Sequence, residues 1–104
     1  MTDVRVVLVT CPHPEAAATL ARTLVEEGLA ACGNVLPGLR SIYRWQGQVQ
    51  DETEALLLLK TTAARFEALR ERVVALHPYE VPEVIALAVD AGHAPYLAWV
   101  AGGP

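Results

Sequence analysis

Residues 50–60 read QDETEALLLLK. The first half is polar. From Ala55 to Leu59 every side chain is apolar. Neighbouring side chains of a strand point to opposite faces, so an unbroken apolar run of this length is a strand buried on both sides. Such a strand belongs in the middle of a sheet. It is the return arm, over 49–61, of a hairpin whose tip is Gln46-Gly47. The outgoing arm covers 30–45. Pro37-Gly38 interrupts it, and proline in a strand belongs at an edge or a bulge. Beyond that pair, SIYRW resumes with Ile42 alternating against Tyr43 and Trp45.

Upstream, residues 4–11, VRVVLVTC, are β-branched and continuous, a second buried strand ended by Pro12 and Pro14. A helix is predicted from Pro14 to Glu27, with an apolar stripe of Ala17, Leu20, Ala21, Leu24 and Val25 and a stop at Gly28. Downstream, Thr61 or Thr62 can cap a helix over 63–76, with Phe66, Leu69, Val73 and Leu76 on one face. EVIALAVD, 83–90, is the fourth strand. A short helix follows, with Pro95 near its start and Tyr96, Trp99 and Val100 at helical spacing.

The order βαββαβ plus a terminal helix is an α+β pattern, that of a ferredoxin-like single domain spanning 1–104. Its usual sheet order is 4-1-3-2, with both main helices on one face. The strand that contains Pro37 then falls on an edge. The other face is the problem. VVLV, LLLL and VIALAV are apolar on both sides, and a bare sheet of that kind is rare on a soluble monomer. Self-association through the sheet is the expected remedy, since the terminal helix is too short to cover it.

The chain has 104 residues, 53% of them hydrophobic, and a formal charge of −4. Its eight Lys and Arg residues form no cluster. That speaks against nucleic acid and against an anionic membrane surface. No apolar run reaches the roughly 18 residues of a membrane span, and MTDVRVV lacks a signal-peptide pattern, so a cytoplasmic protein is expected. Cys11 and Cys32 do not form a CxxC pair and are expected to be reduced thiols. No nucleophile elbow, HExxH or phosphate loop is present, so no enzymatic activity is expected.

Between the second helix and the fourth strand lies LHPYEVPE, 76–83. Pro78 ends the helix and Pro82 sets the entry to the strand, which makes a stiff connector. It fixes His77, Tyr79 and Glu83 in place.

LAAC with GNVLPGLRSIYRWQG (29–47), ALLLLKTT, LHPYEVPEVIAL and YLAW together resemble the CutA family, the divalent-cation tolerance proteins. The likeness runs nearly end to end. It implies a ferredoxin-like subunit in a PII-like homotrimer with sheets facing inward. It also implies a role in the response to metal ions, with copper binding in some members. Copper-binding members use a strand-1 cysteine and a His-His pair before Pro-Tyr. Here Val9 stands at the expected cysteine position, Cys11 lies two residues later, and the pair is Leu76-His77.

Two kinds of site follow. His77, Cys11 and Cys32 are the candidate metal ligands, thiolate and imidazole suiting copper or zinc. His13 and His93 read as solvated loop residues. In a trimer, Tyr43, Trp45, Lys60, Tyr79 and Glu83 are candidates to meet in an intersubunit cleft that holds a small anionic metabolite. The plainer alternative makes the aromatics interface anchors and pairs Glu83 with Lys60.

Overall fold

The computed structural model describes residues 2–102. Its elements are β1 (Val4–Cys11), α1 (Pro14–Glu26), β2 (Cys32–Trp45), β3 (Gln48–Thr62), α2 (Ala63–Leu76), β4 (Ile85–Ala88) and α3 (Ala94–Ala101). The sheet order is β2-β3-β1-β4. This is the ferredoxin-like arrangement, with the proline-bearing β2 on one edge.

The centre is the antiparallel pair β1–β3, in register from Val4↔Thr62 to Cys11↔Ala55. Period-two alternation sorts its side chains. Val7, Val9 and Cys11 of β1 and Ala55, Leu57 and Leu59 of β3 point to one face and are buried. There α1 covers them with Ala17, Leu20 and Leu24, and α2 with Leu69 and Val73. Leu76, expected on the buried face of α2, is exposed at its end.

The local chemistry explains the helix ends. His13 caps α1, its Nδ1 accepting the Ala16 N–H at 3.1 Å, and Pro14 occupies the first turn. At the far end Gly28 has φ +74°. The Gly28 N–H donates to the Val25 carbonyl at 3.0 Å and the Leu29 N–H to the Leu24 carbonyl at 2.9 Å. This is the Schellman pattern that a glycine at this position permits.

Pro37-Gly38 does not end β2. The ladder to β3 continues across it as a bulge between Leu36 and Leu39, with Gly38 at φ +76°. Before the bulge Leu36 stands opposite Leu56; after it Leu39 stands opposite Glu54. One extra residue on β2 therefore switches which of its side chains share a face with Glu54 and Leu56. Positive φ at both Gln46 and Gly47 closes the hairpin tightly.

β4 is shorter than the 83–90 expected. Pairing with β1 runs only from Leu8↔Ile85 to Arg5↔Ala88. Pro82 has no N–H to donate, and the residues before Ile85 turn away to line a cavity.

The second sheet face stays largely open. Val100 of α3 packs on Val4 and Ala31 at one end. The Arg65 guanidinium holds that helix by donating to the carbonyls of Val100 and Ala101. Beyond that end, Leu8, Leu56 and Leu58 are only half-buried, and Ile85 and Leu87 are 49% and 52% exposed.

Gly33 marks the tightest helix–sheet approach. A Cβ there would lie 2.9 Å from the Ala21 Cβ and 3.1 Å from a Leu59 methyl. Gly33→Ala is expected to destabilise the fold by about 1–3 kcal/mol, the usual cost of overpacking. A lowered urea midpoint at fixed protein concentration would show it. An unchanged midpoint would mean that α1 shifts freely.

Candidate functional site

Two cavities lie on opposite faces of the sheet. The first, of about 370 Å³, is on the helix side, where β1 ends, α1 begins and α2 ends. Cys11, His13 and His77 all line it. It thus unites two of the expected metal ligands with a histidine that the sequence reading left in solvent.

The cysteine and histidine donors of this cavity are already engaged or protonated. His77 is buried. Its Nδ1 accepts the Tyr79 N–H at 3.1 Å, so Nε2 carries the proton and donates to the Thr10 carbonyl at 2.7 Å. The ring also rests against Tyr79, centroids 4.6 Å apart. The imidazole ties the start of the LHPYEVPE connector to the end of β1. Burial pushes the Cys11 thiol up to about 11, with the Glu54 charge adding to the effect. His13 spends Nδ1 on the helix cap.

Cys32 does not belong with them. It lies on the opposite sheet face, paired with Lys60, whereas Cys11 pairs with Ala55. Five residues of β3 separate those partners, about 16 Å at roughly 3.3 Å per residue. The Cys32 Sγ is instead 3.7 Å from the Tyr96 hydroxyl. The set His77, Cys11 and Cys32 is therefore not assembled within one chain. Among the described residues no group of three or more His, Cys, Asp and Glu side chains is placed to hold a metal ion.

The second cavity, of about 740 Å³, lies on the open face at the base of the β2–β3 arm. Tyr43, Trp45, Tyr79 and Glu83 line it together. Lys60 does not. It stands far along β3, and its ammonium donates to the Asn34 side-chain carbonyl. No ion pair joins Lys60 to Glu83 among the described residues.

Sequence reasoning named Glu83 but missed the other carboxylates at this site. Glu52 and Glu54 lie two apart on β3 and share the cavity with Glu80 and Glu83. The turn carried the signal. A two-residue tip at Gln46-Gly47 pairs Tyr43 with Gln50 and Ser41 with Glu52, which aligns the aromatics with the acids. Glu54 is only 6% exposed and accepts the Tyr79 hydroxyl. Burial, followed by that hydrogen bond and the Glu54 charge, raises the Tyr79 phenol well above its ordinary range. Burial and the Glu52 charge raise Tyr43 as well. Both rings stay neutral near pH 7 and their hydroxyls remain donors.

The comparisons with known proteins agree on a family. The family model described as CutA1 divalent ion tolerance protein matches residues 5–102. The chain is 58% identical over 95 residues to a Thermus thermophilus protein named divalent-cation tolerance protein CutA, covering 91% of this chain and 92% of that one. It is 50% identical over 95 residues to an Arabidopsis thaliana protein named Protein CutA, chloroplastic, covering 91% of this chain and 52% of that one. The chain thus spans about half of that plant relative. A solved divalent cation tolerance protein (Cut A1) from Thermus thermophilus superposes with a TM-score of 0.93 at 55% identity, covering 96% of this chain and 97% of that one.

The Cys11 environment makes a prediction for alkaline pH. Below the ordinary thiol value of 9.0 both folded and unfolded chains keep the proton. Between 9.0 and about 11 the unfolded chain releases it first, so stability falls as pH rises through that window. Denaturation measured from pH 8 to 11 should show the loss, with a shallower slope in Cys11→Ala. With Cys32→Ser leaving one thiol, Ellman's reagent should react only as fast as the protein unfolds. Rapid reaction of the native protein would show Cys11 to be accessible.

Proposed function

The chain belongs to the CutA1 divalent ion tolerance family, and from that premise we propose that it acts as a homotrimer that binds copper or another divalent metal ion and takes part in the response to such ions. The observation that carries the assembly is the open sheet face. Leu8, Leu56, Leu58, Ile85 and Leu87 present apolar surface that α3 leaves uncovered. Copies of the chain that face inward would bury it, and about 800 Å² per partner is ordinary for a specific interface. The family resemblance supplies the number three.

Metal uptake is assigned to the helix-side cavity, where thiol and imidazole donors meet. It is weak by construction. Cys11 must lose a proton that burial retains, and His77 must give up a structural hydrogen bond. Soft donors of this kind favour copper. The protein binds without catalytic turnover, and two free cysteines support a reducing, cytoplasmic setting. No helix of the described residues is long and apolar enough to cross a membrane.

The rival reading, a PII-like sensor of an anionic metabolite, loses its main support. The open-face cavity contains four glutamates, and among the described residues no Lys, Arg or His lines it.

Sedimentation equilibrium should give three times the chain mass of 11.2 kDa. A single-chain mass would remove the assembly. Calorimetric titration with Cu(I), Cu(II) and Zn(II) should show weak copper binding, reduced in Cys11→Ala and His77→Ala and unchanged in Cys32→Ser. Because the coordinating imidazole nitrogen and the thiolate must each be free of a proton to bind, affinity should fall as pH drops. Equal copper binding in all variants would dismiss the cavity as the site. Loss of assembly in His77→Ala would make that residue structural only.

A further inference from the structure

The open-face cavity has a composition that the metal reading does not use. Its polar lining is acidic. Glu52 and Glu54 project from β3, and Glu80 and Glu83 from the connector. Among the described residues no cationic side chain lines it to neutralise them. Three aromatic rings, Tyr43, Trp45 and Tyr79, complete the walls. Leu8, Leu39 and Leu56 supply apolar surface.

Glu54 carries the strongest indication. It is buried to 6% exposure, where a carboxylate is costly unless paired. One oxygen accepts the Tyr79 hydroxyl. This nearly buried carboxyl group lines the cavity together with three further glutamates and the aromatic faces.

We infer that this cavity binds an organic cation, an ammonium group on an apolar or aromatic body. The ammonium would sit among Glu52, Glu54 and Glu83, and its body against Trp45 and Leu39. Aromatic faces attract a desolvated cation, and the carboxylates add directional acceptors. A volume of about 740 Å³ suits a small organic molecule. A bare metal ion fits less well. No three donors converge on one point among the described residues, and apolar walls give nothing to a hydrated ion. An anion is repelled. The inference goes beyond the metal reading and draws on different residues from Cys11 and His77.

The test uses the full-length protein in its native assembly, because the cavity opens on the face that copies are proposed to share. Phenethylammonium chloride is titrated by calorimetry and by tryptophan fluorescence, beside phenethyl alcohol and phenylacetate. The ammonium is expected to bind at least about tenfold more tightly than the alcohol, a difference of about 1.4 kcal/mol, and phenylacetate not at all. Glu52→Gln and Glu83→Gln, both at exposed positions, are each expected to weaken the ammonium several-fold while leaving copper binding unchanged. Trp45→Phe should remove the fluorescence change. Absence of saturable ammonium binding overturns the inference and shows that the assembled copies fill the cavity themselves. Equal affinity for alcohol or phenylacetate overturns it too. Stoichiometric displacement of the ammonium by Zn(II) would make this a metal site and overturn it as well. Copper binding and trimer mass, read separately, report on the metal reading whatever the ammonium does.

Discussion

Everything in this chain is arranged about the antiparallel ladder between β1 and β3. Its residues alternate between two faces, and both faces are apolar. A helix pair can cover only one. Once α1 and α2 lie over Val7, Val9, Leu57 and Leu59, the side that carries Leu8, Leu56 and Leu58 has only α3 at its Val4 end. The same alternation partitions the chemistry. Cys11 goes to the helix side, and Glu52 and Glu54 to the open side. The sheet therefore stands between a cavity of soft, proton-holding donors and a cavity of carboxylates.

The bulge at Pro37-Gly38 decides what the second cavity contains. Without the extra residue, β2 would keep its parity beyond Leu36, and Arg40 and Ile42 would share the face of Glu52 and Glu54, with Arg40 opposite Glu52. With it, Ser41, Tyr43 and Trp45 do. An arginine beside those acids would form an ion pair and close the site electrostatically. Arg40, moved to the other side of the arm, pairs with Asp51 instead, at 2.9 and 2.7 Å. Gly38 makes the switch possible, since its φ of +76° is strained for any residue with a side chain.

Element order, helix bounds and the edge position of β2 were legible because each rests on local signals. Pro14 and Gly28 frame α1, and the apolar run 55–59 could only be a central strand. The parity of β2 was less legible. Proline in a strand indicates an edge or a bulge without saying which; the two-residue tip at Gln46-Gly47 sets Tyr43 and Trp45 on the face of the glutamates, and the bulge reconciles that parity with the first half of β2. β4 was overextended because an apolar pattern shows where a strand can be buried, whereas its pairing begins only beyond Pro82 and the connector, although β1 itself runs on to Cys11. The metal set failed for a similar reason. Residue types identify Cys11, Cys32 and His77 as donors, but register alone reveals that Cys32 lies on the wrong face and five residues along. Lys60 dropped out of the pocket by the same arithmetic.

His77 shows how a residue that looks chemical can be spent on architecture. The chain must leave α2, cross the end of β1 and enter β4 within a few residues, and two prolines remove backbone donors from that path. The remaining polar groups need partners. The imidazole supplies them in both directions, accepting the N–H of Tyr79 and donating to the carbonyl of Thr10. That bond positions Tyr79, whose hydroxyl then reaches through to Glu54 on the open face. One histidine on the helix side thus fixes an aromatic wall and a buried carboxylate on the other. A side chain with both nitrogens committed in this way has little left for a metal, and so copper binding here is expected to be weak although thiol and imidazole line one cavity.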